Sequence, residues 1–333
     1  MFYYLKISKT TATFLLVFFA FTRIANAQDT VQKGDTLPKT DTAKAPIKPW
    51  KIKNEVSLTF SQVSLTNWVA GGENTISGNG HYGFASSYSK GDNSWDNTFD
   101  VGYGQTRQGT SKNIKNDDRI EVSSKFGRKA SAKWFYSVLA TFKTQMFPGY
   151  NYPNDSTVVS DWLAPGYLGL SFGMDYKPSD RLSIFLSPVS GRLTVVQRQD
   201  LANEGSYGVK AAVYDQSGNL IKKGEHYLYE AGALVRIQLI QPIFKKKLLW
   251  TSKLDLFSNF IKNPQNVYVN WENTLEAKLN SWLTARLFTQ AIYDDNARIA
   301  KDTNGDGVND KFTPEIQMKE IFGIGIGIKW NNN

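Results

Sequence analysis

A two-residue period dominates this chain and is sustained over segments far longer than an ordinary strand. From Trp50 to Trp330, apolar side chains alternate with small or polar ones, and no stretch carries a convincing helical period. The last segment shows it best. Ile316, Met318, Phe322, Ile324, Ile326, Ile328 and Trp330 fall on one parity, and Gln317, Lys319, Gly323, Gly325, Gly327 and Lys329 on the other. Twelve segments read this way: 51–64, 75–89, 94–108, 116–128, 132–147, 162–177, 181–196, 228–244, 248–261, 266–279, 282–294 and 315–330. They run 13–17 residues, where soluble strands average ~5–6. Strands of that length fit a barrel that spans a membrane, which needs ~9–11 tilted residues per crossing. The fold class read from the pattern is all-β: a transmembrane, antiparallel, up-and-down barrel of about 12 strands.

Connection lengths and tryptophans orient that barrel. Connections after even segments are short: 90–93, 129–131, 177–180, 245–247 and 280–281. Connections after odd segments are mostly longer: 65–74, 109–115, 148–161, 197–227 and 295–314, with 262–265 the exception. Short periplasmic turns opposite longer outer loops are the outer-membrane arrangement. Trp50, Trp95, Trp134, Trp250, Trp282 and Trp330 fall at the short-turn end, and Trp68, Trp162 and Trp271 at or beyond the other end. An indole prefers a membrane interface, because its ring is apolar and its N–H needs a partner.

Residues 1–27 read as a cleaved export signal: Lys6 and Lys9, the apolar run Phe14–Phe21, then Ala25-Asn26-Ala27. The run is too short for a spanning helix. Residues 28–49, rich in Thr, Lys and Pro, read as a flexible periplasmic linker, and 50–333 as the barrel. Without Lys6, Lys9 and Arg23 the chain carries 36 basic and 30 acidic residues, a net of +6. That mild excess on an exported chain gives no reason to expect nucleic acid. The chain has no cysteine and two histidines, so disulfides, thiolate metal sites and thiol nucleophiles are excluded. The partners expected are outer-membrane lipid and the barrel-insertion machinery.

Two sequence signatures carry resemblances. Gly325-Ile326-Gly327-Ile328-Lys329-Trp330 resembles the C-terminal assembly signal of outer-membrane barrels, here followed by Asn331–Asn333. Gln62-Val63-Ser64-Leu65-Thr66-Asn67-Trp68-Val69-Ala70-Gly71-Gly72-Glu73-Asn74 resembles the opening motif of an uncharacterised family of Gram-negative outer-membrane barrels, with the pattern N-W-x-x-G-G-x-N at its centre. The resemblance covers about 50–330. It implies a barrel in the outer membrane and no activity.

The chemistry-bearing residues are few. Asp302, Asn304, Asp306 and Asp310 match the spacing of a calcium loop, with Gly307 at the position of the sharp turn, but Thr313 replaces the bidentate Glu. The segment reads either as a weak Ca²⁺ site, the one cofactor the sequence points to, or as a polar turn. His81 and His226 have no serine two residues on, unlike outer-membrane phospholipases and lipid A deacylases, so no catalytic residue is assigned. Asp294 and Asp295, paired at a strand rim, are expected to be solvated. By parity the inward charges are Lys53, Arg119, Lys125, Lys133, Lys143, Arg236, Lys253, Lys278, Arg286, Lys319 and Lys329, against Glu55, Asp96, Asp100, Glu121, Asp175, Glu230, Asp255, Glu272, Glu276 and Asp294. A selective pore would be lopsided; this balance points to cross-strand ion pairs in a narrow interior. A bulge at Pro188 and Gly191 would break the parity of the 181–196 segment. On parity Ile326 faces lipid and Gly325 the lumen, so a lysine should cost less at 325 if the lumen has room.

The function expected is a narrow channel or small-solute conduit with a charge-balanced lumen. The alternatives are an accessory barrel that binds a protein through its outer loops or N-terminal tail, and, third, a lipid-modifying enzyme.

Overall fold

In the computed structural model the chain is described at residues 49–65, 73–152, 154–245, 247–280, 282–301 and 311–332. Residues 1–27, read as the export signal, most of the linker, and Thr66 to Gly72 of the opening motif lie outside those residues. Twelve long strands form one closed antiparallel barrel. They are β1 (Trp50–Val63), β2 (Thr75–Lys90), β3 (Asn93–Gln108), β4 (Ile114–Lys129), β5 (Trp134–Thr144), β6 (Gly166–Ser179), β7 (Leu182–Val195), β8 (Tyr227–Ile243), β9 (Leu248–Asn259), β10 (Val267–Lys278), β11 (Leu283–Tyr293) and β12 (Gln317–Asn332). Each strand pairs with its neighbours in sequence, and β1 closes on β12 from Ile52↔Asn332 to Phe60↔Ile324. Closure leaves no free edge, which a membrane demands because lipid offers no hydrogen bonds to an unpaired backbone.

The faces are inverted relative to a soluble protein. Large apolar side chains are the exposed ones: Phe60, Tyr136, Phe172, Tyr229, Phe322, Ile326 and Ile328 all point outward. Charged groups are the buried ones, among them Lys125, Asp175, Glu230, Arg236 and Asp255. An apolar surface of this extent does not stay in water; each Å² moved into hydrocarbon is worth roughly 25 cal/mol. Indoles anchor the turn end. Trp50 stacks near Tyr88 and Trp95 at 5.1 and 5.8 Å, and the Trp95 Nε1–H donates to Ser124. Trp271 lies deeper than expected. It sits inside β10, opposite Leu254 and Ala291, and its N–H is satisfied by Ser252 Oγ at 3.0 Å.

A bulge breaks the alternation of β7. Val189 pairs with Phe172 and Leu186 with Met174, so β7 carries one extra residue there, around Pro188. The Ser187 hydroxyl lies within hydrogen-bond distance of the Phe172 and Val189 carbonyls, 2.8 and 2.9 Å away. Below the bulge Phe185 and Ser187 face the lumen; above it Ser190, Arg192 and Thr194 do. The bulge therefore turns Arg192 inward, opposite Glu230. On the other face it would meet lipid, at a cost of ~2–4 kcal/mol near the midplane.

The seam between β1 and β12 corrects one expectation. There is no room at Gly325: a Cβ there would stand 2.1 Å from the Leu58 carbonyl oxygen and 2.9 Å from Thr59 Cα. At Gly327 the nearest atoms are 3.7 Å away or more. Gly325→Ala should therefore weaken closure, whereas Gly327→Ala should be close to neutral. Gel mobility of unboiled samples on a temperature ramp reads this, and equal melting of the two variants would contradict the geometry.

The connections at the loop end are partly folded. A short helix, α1 (Gln199–Glu204), ends at Gly205 with φ 74° and follows β7. Six residues are too few to show a helical period, which is why the sequence did not reveal it. Its Leu201 and Ala202 pack with Ala164, Val196 and Val209 into a small core at the loop end, beyond the ends of β6 and β7.

Candidate functional site: the bridged lumen

The inward faces of the strands converge on a cluster that crosses the barrel. Lys143 Nζ on β5 lies 2.9 Å from Glu121 on β4 and 3.3 Å from Glu272 on β10. Lys253 on β9 bonds Glu121 and lies 3.9 Å from Glu272. β4 and β9, like β5 and β10, are five strands apart around a ring of twelve, so these contacts join opposite walls. Two cations and two anions share one space, and Asn270 and Gln290 add amide donors to Glu272. Beside them Arg236 makes a two-pronged pair with Asp255, at 2.6 and 2.7 Å, and reaches Ser123 on β4 at 3.3 Å. Charges in a low-dielectric space are tolerated only when paired and hydrogen-bonded, and this network meets that condition.

Two further clusters stand above and below. Toward the turn end, Lys125 binds Asp175 at 2.6 Å, and Lys177 binds Asp96 at 2.8 Å. Toward the loop end, Arg192 binds Glu230 at 2.5 Å and approaches Asp294 at 3.8 Å, with its guanidinium over Phe257 and Tyr268. Asp294 is buried there rather than solvated, contrary to expectation, and burial pushes its carboxyl up. Lys329 joins Glu55 and Glu276, and Lys319 binds Asp117.

Most of the inward charges expected from parity are thus ion-paired, and the pairs are cross-strand or cross-lumen. Three members were missed. Arg192 needed the bulge to turn inward, while Asp117 and Lys177 continue the inward parity toward strand ends, where the alternation was not followed. Lys53, Arg119, Lys133 and Lys278 make no ion pair among the described residues.

The loop end is covered. The 196–226 connection lies over the mouth: the Tyr207 hydroxyl donates to the Val159 carbonyl at 2.6 Å, and Gly208 comes so near Asn296 that a Cβ would stand 2.7 Å from its side chain. Burial pushes the Tyr207 hydroxyl up to about 12. Arg198 pairs with Asp200 and Asp161, and those hydrogen bonds hold its guanidinium above the usual range.

A cavity of about 40 Å³ lies among the inward-facing side chains of Arg119 and Arg286, and one of about 20 Å³ lies at the loop end beside Arg192 and Asn296. A larger concavity of about 480 Å³ is framed by Val122, Phe142, Leu168, Leu170 and Tyr229 on the lipid-facing wall, away from any solute path.

His226 is held by the Val196 carbonyl at 2.6 Å and the Gln199 side chain at 3.1 Å. His81 projects into the lumen beside Asp100 at 3.1 Å. Asp302, Asn304, Asp306 and Asp310 lie outside the described residues. Of the opening motif, Gln62 to Leu65, Glu73 and Asn74 are described, and the Leu65 N–H donates to Asn74 Oδ1 at 2.6 Å, tying the two sides of that connection.

Residues 60–150 match the model of a family described as protein of unknown function (DUF3078). That is a narrower stretch than the resemblance read from the sequence, and it includes the opening motif. No curated protein matches the chain. Among solved structures, the chain is similar to an outer-membrane channel (COG4313) from Pseudomonas putida F1, with 10% identity over 89% of this chain and 100% of that one, TM-score 0.36. It is also similar to the translocator domain of the autotransporter NalP from Neisseria meningitidis, with 9% identity over 96% of both chains, TM-score 0.34. The NanC porin matches at 10% identity over 83% of this chain and 97% of that one, TM-score 0.33.

Proposed function

We propose that this chain is an outer-membrane barrel serving as a narrow, charge-balanced conduit for small solutes, shut in the state described here. One observation carries the reading: Lys143, Lys253, Glu121 and Glu272 bridge opposite walls with equal numbers of each charge. Such a cluster blocks passage without selecting by sign, and it opens when the pairs separate. The outward apolar wall supports the location, and the export signal expected over residues 1–27 agrees with it.

Planar-bilayer recording tests the conduit. The wild type should show small, infrequent openings, about equally permeable to anions and cations. Glu121→Ala with Lys253→Ala, which removes one charge of each sign, should open larger and more often with that balance unchanged. Silence from both would remove the conduit reading. The accessory-barrel reading would then stand. It is favoured by the 210–223 stretch of the covering loop, whose Tyr214, Leu220 and Ile221 are exposed.

A further inference from the structure

The interior cavity of about 40 Å³ is lined on its charged side by Arg119 and Arg286, with His81, Asn79, Ser57, Thr59 and Asp117 around it. Arg119 reaches across the lumen from β4 to lie 4.7 Å from the Phe288 ring on β11. Arg286 is two residues from Phe288 on the same inward face, so two guanidinium groups border one small space. A guanidinium does not lose its proton in a protein, so both charges persist.

The carboxylates nearby are shared with other cations, and Asp117, which lines the same cavity, offers only its Oδ1 to Lys319. Asp117 binds Lys319, Glu55 lies 3.2 Å from Lys329, and Asp100 bonds His81. Arg286 reaches Glu55 only at 4.0 Å. Among the described residues, none lies within ion-pair distance of Arg119. His81 offers no negative charge: Arg286 donates to its Nδ1 at 3.3 Å, which leaves Nε2 to carry the proton toward Asp100. That tautomer follows from the bonding pattern. Two residues that line the cavity each carry a buried polar atom with no protein partner, the donor Arg119 Nε and the acceptor Asn79 Oδ1.

We propose that this cavity holds a small monatomic anion, chloride in ordinary media, between Arg119 and Arg286. A chloride accepts from the Arg119 Nε–H and compensates the charge of Arg119 beside an Arg286 that Glu55 meets only at 4.0 Å. A water beside it donates to Asn79 Oδ1 and to the ion. A water needs ~10–15 Å³ by this measure of volume, so the cavity takes an ion and about one or two waters and excludes sugars and organic acids. The cation–π contact with Phe288 holds Arg119 in place but cannot neutralise it. The site does not depend on the conduit reading, because a permanently closed barrel would hold the same ion.

The wild-type protein, crystallised with bromide as the only halide, tests this directly. An anomalous difference peak should appear in contact with both guanidinium groups. In detergent solution, chloride and bromide should raise the melting midpoint in a saturating way over gluconate at equal ionic strength, since gluconate is too large to enter. Arg119→Met should lose that response. If Arg119→Met fails to fold, the wild-type crystals decide alone. No bromide peak, together with equal midpoints in chloride and gluconate, would mean that the cavity holds water only and would overturn the proposal.

Discussion

Replacing Asp255 by Asn should cost the barrel about 3–5 kcal/mol, the usual penalty for stranding one member of a buried ion pair. Asp255 and Arg236 face each other in register on β9 and β8, and both carboxylate oxygens accept from the guanidinium, at 2.6 and 2.7 Å. Their side chains are 7% and 4% exposed, so solvent cannot take up a lost charge. Asparagine keeps the shape and removes the charge, leaving Arg236 with Ser123 and the more distant members of the lumen network. The double variant Arg236→Met with Asp255→Leu removes both charges and should cost far less than Asp255→Asn alone, because well-packed apolar pairs often replace buried ion pairs without loss. Urea unfolding from lipid vesicles, followed by tryptophan fluorescence and gel mobility, gives both values. A double variant at least as unstable as the single one would show that the pair stabilises in its own right and that the uncompensated charge is not the main cost.

A lysine at position 326 should cost ~2–4 kcal/mol by the same measurement, the penalty for a cation facing the hydrocarbon midplane. Ile326 points outward, flanked by Leu58 on β1 and Leu283 on β11. It lies four residues above Trp330, about 13 Å along the strand and roughly 10 Å in height at a ~40° tilt. That height is close to the middle of a ~25 Å apolar band. Ile328→Lys, two residues nearer the interfacial Trp330, should cost less, ~0–1 kcal/mol if its ammonium reaches the headgroups. Equal and small penalties at both positions would mean that the outward face does not contact lipid.

The strand count, the alternation of short turns and long connections, and the inward direction of Glu121, Lys143, Arg236, Lys253 and Glu272 were all legible in the sequence. They follow from the pleat, which sends successive side chains to opposite faces whatever the neighbouring strands do. Pro188 even marked where that rule would break, since a residue without an N–H sits poorly in a regular ladder. What could not be read was which charge meets which. Parity places Lys143 and Glu272 inside, but 129 residues separate them, and only closure brings β5 within reach of β10. The same holds for Arg119 over Phe288, for the close approach that bars a side chain at Gly325, and for Asp294, buried at the mouth under Arg192. Side-chain direction is a local property of each strand. Contact across the lumen depends on the tilt and register accumulated over all twelve strands, and that sum is set only when β1 meets β12.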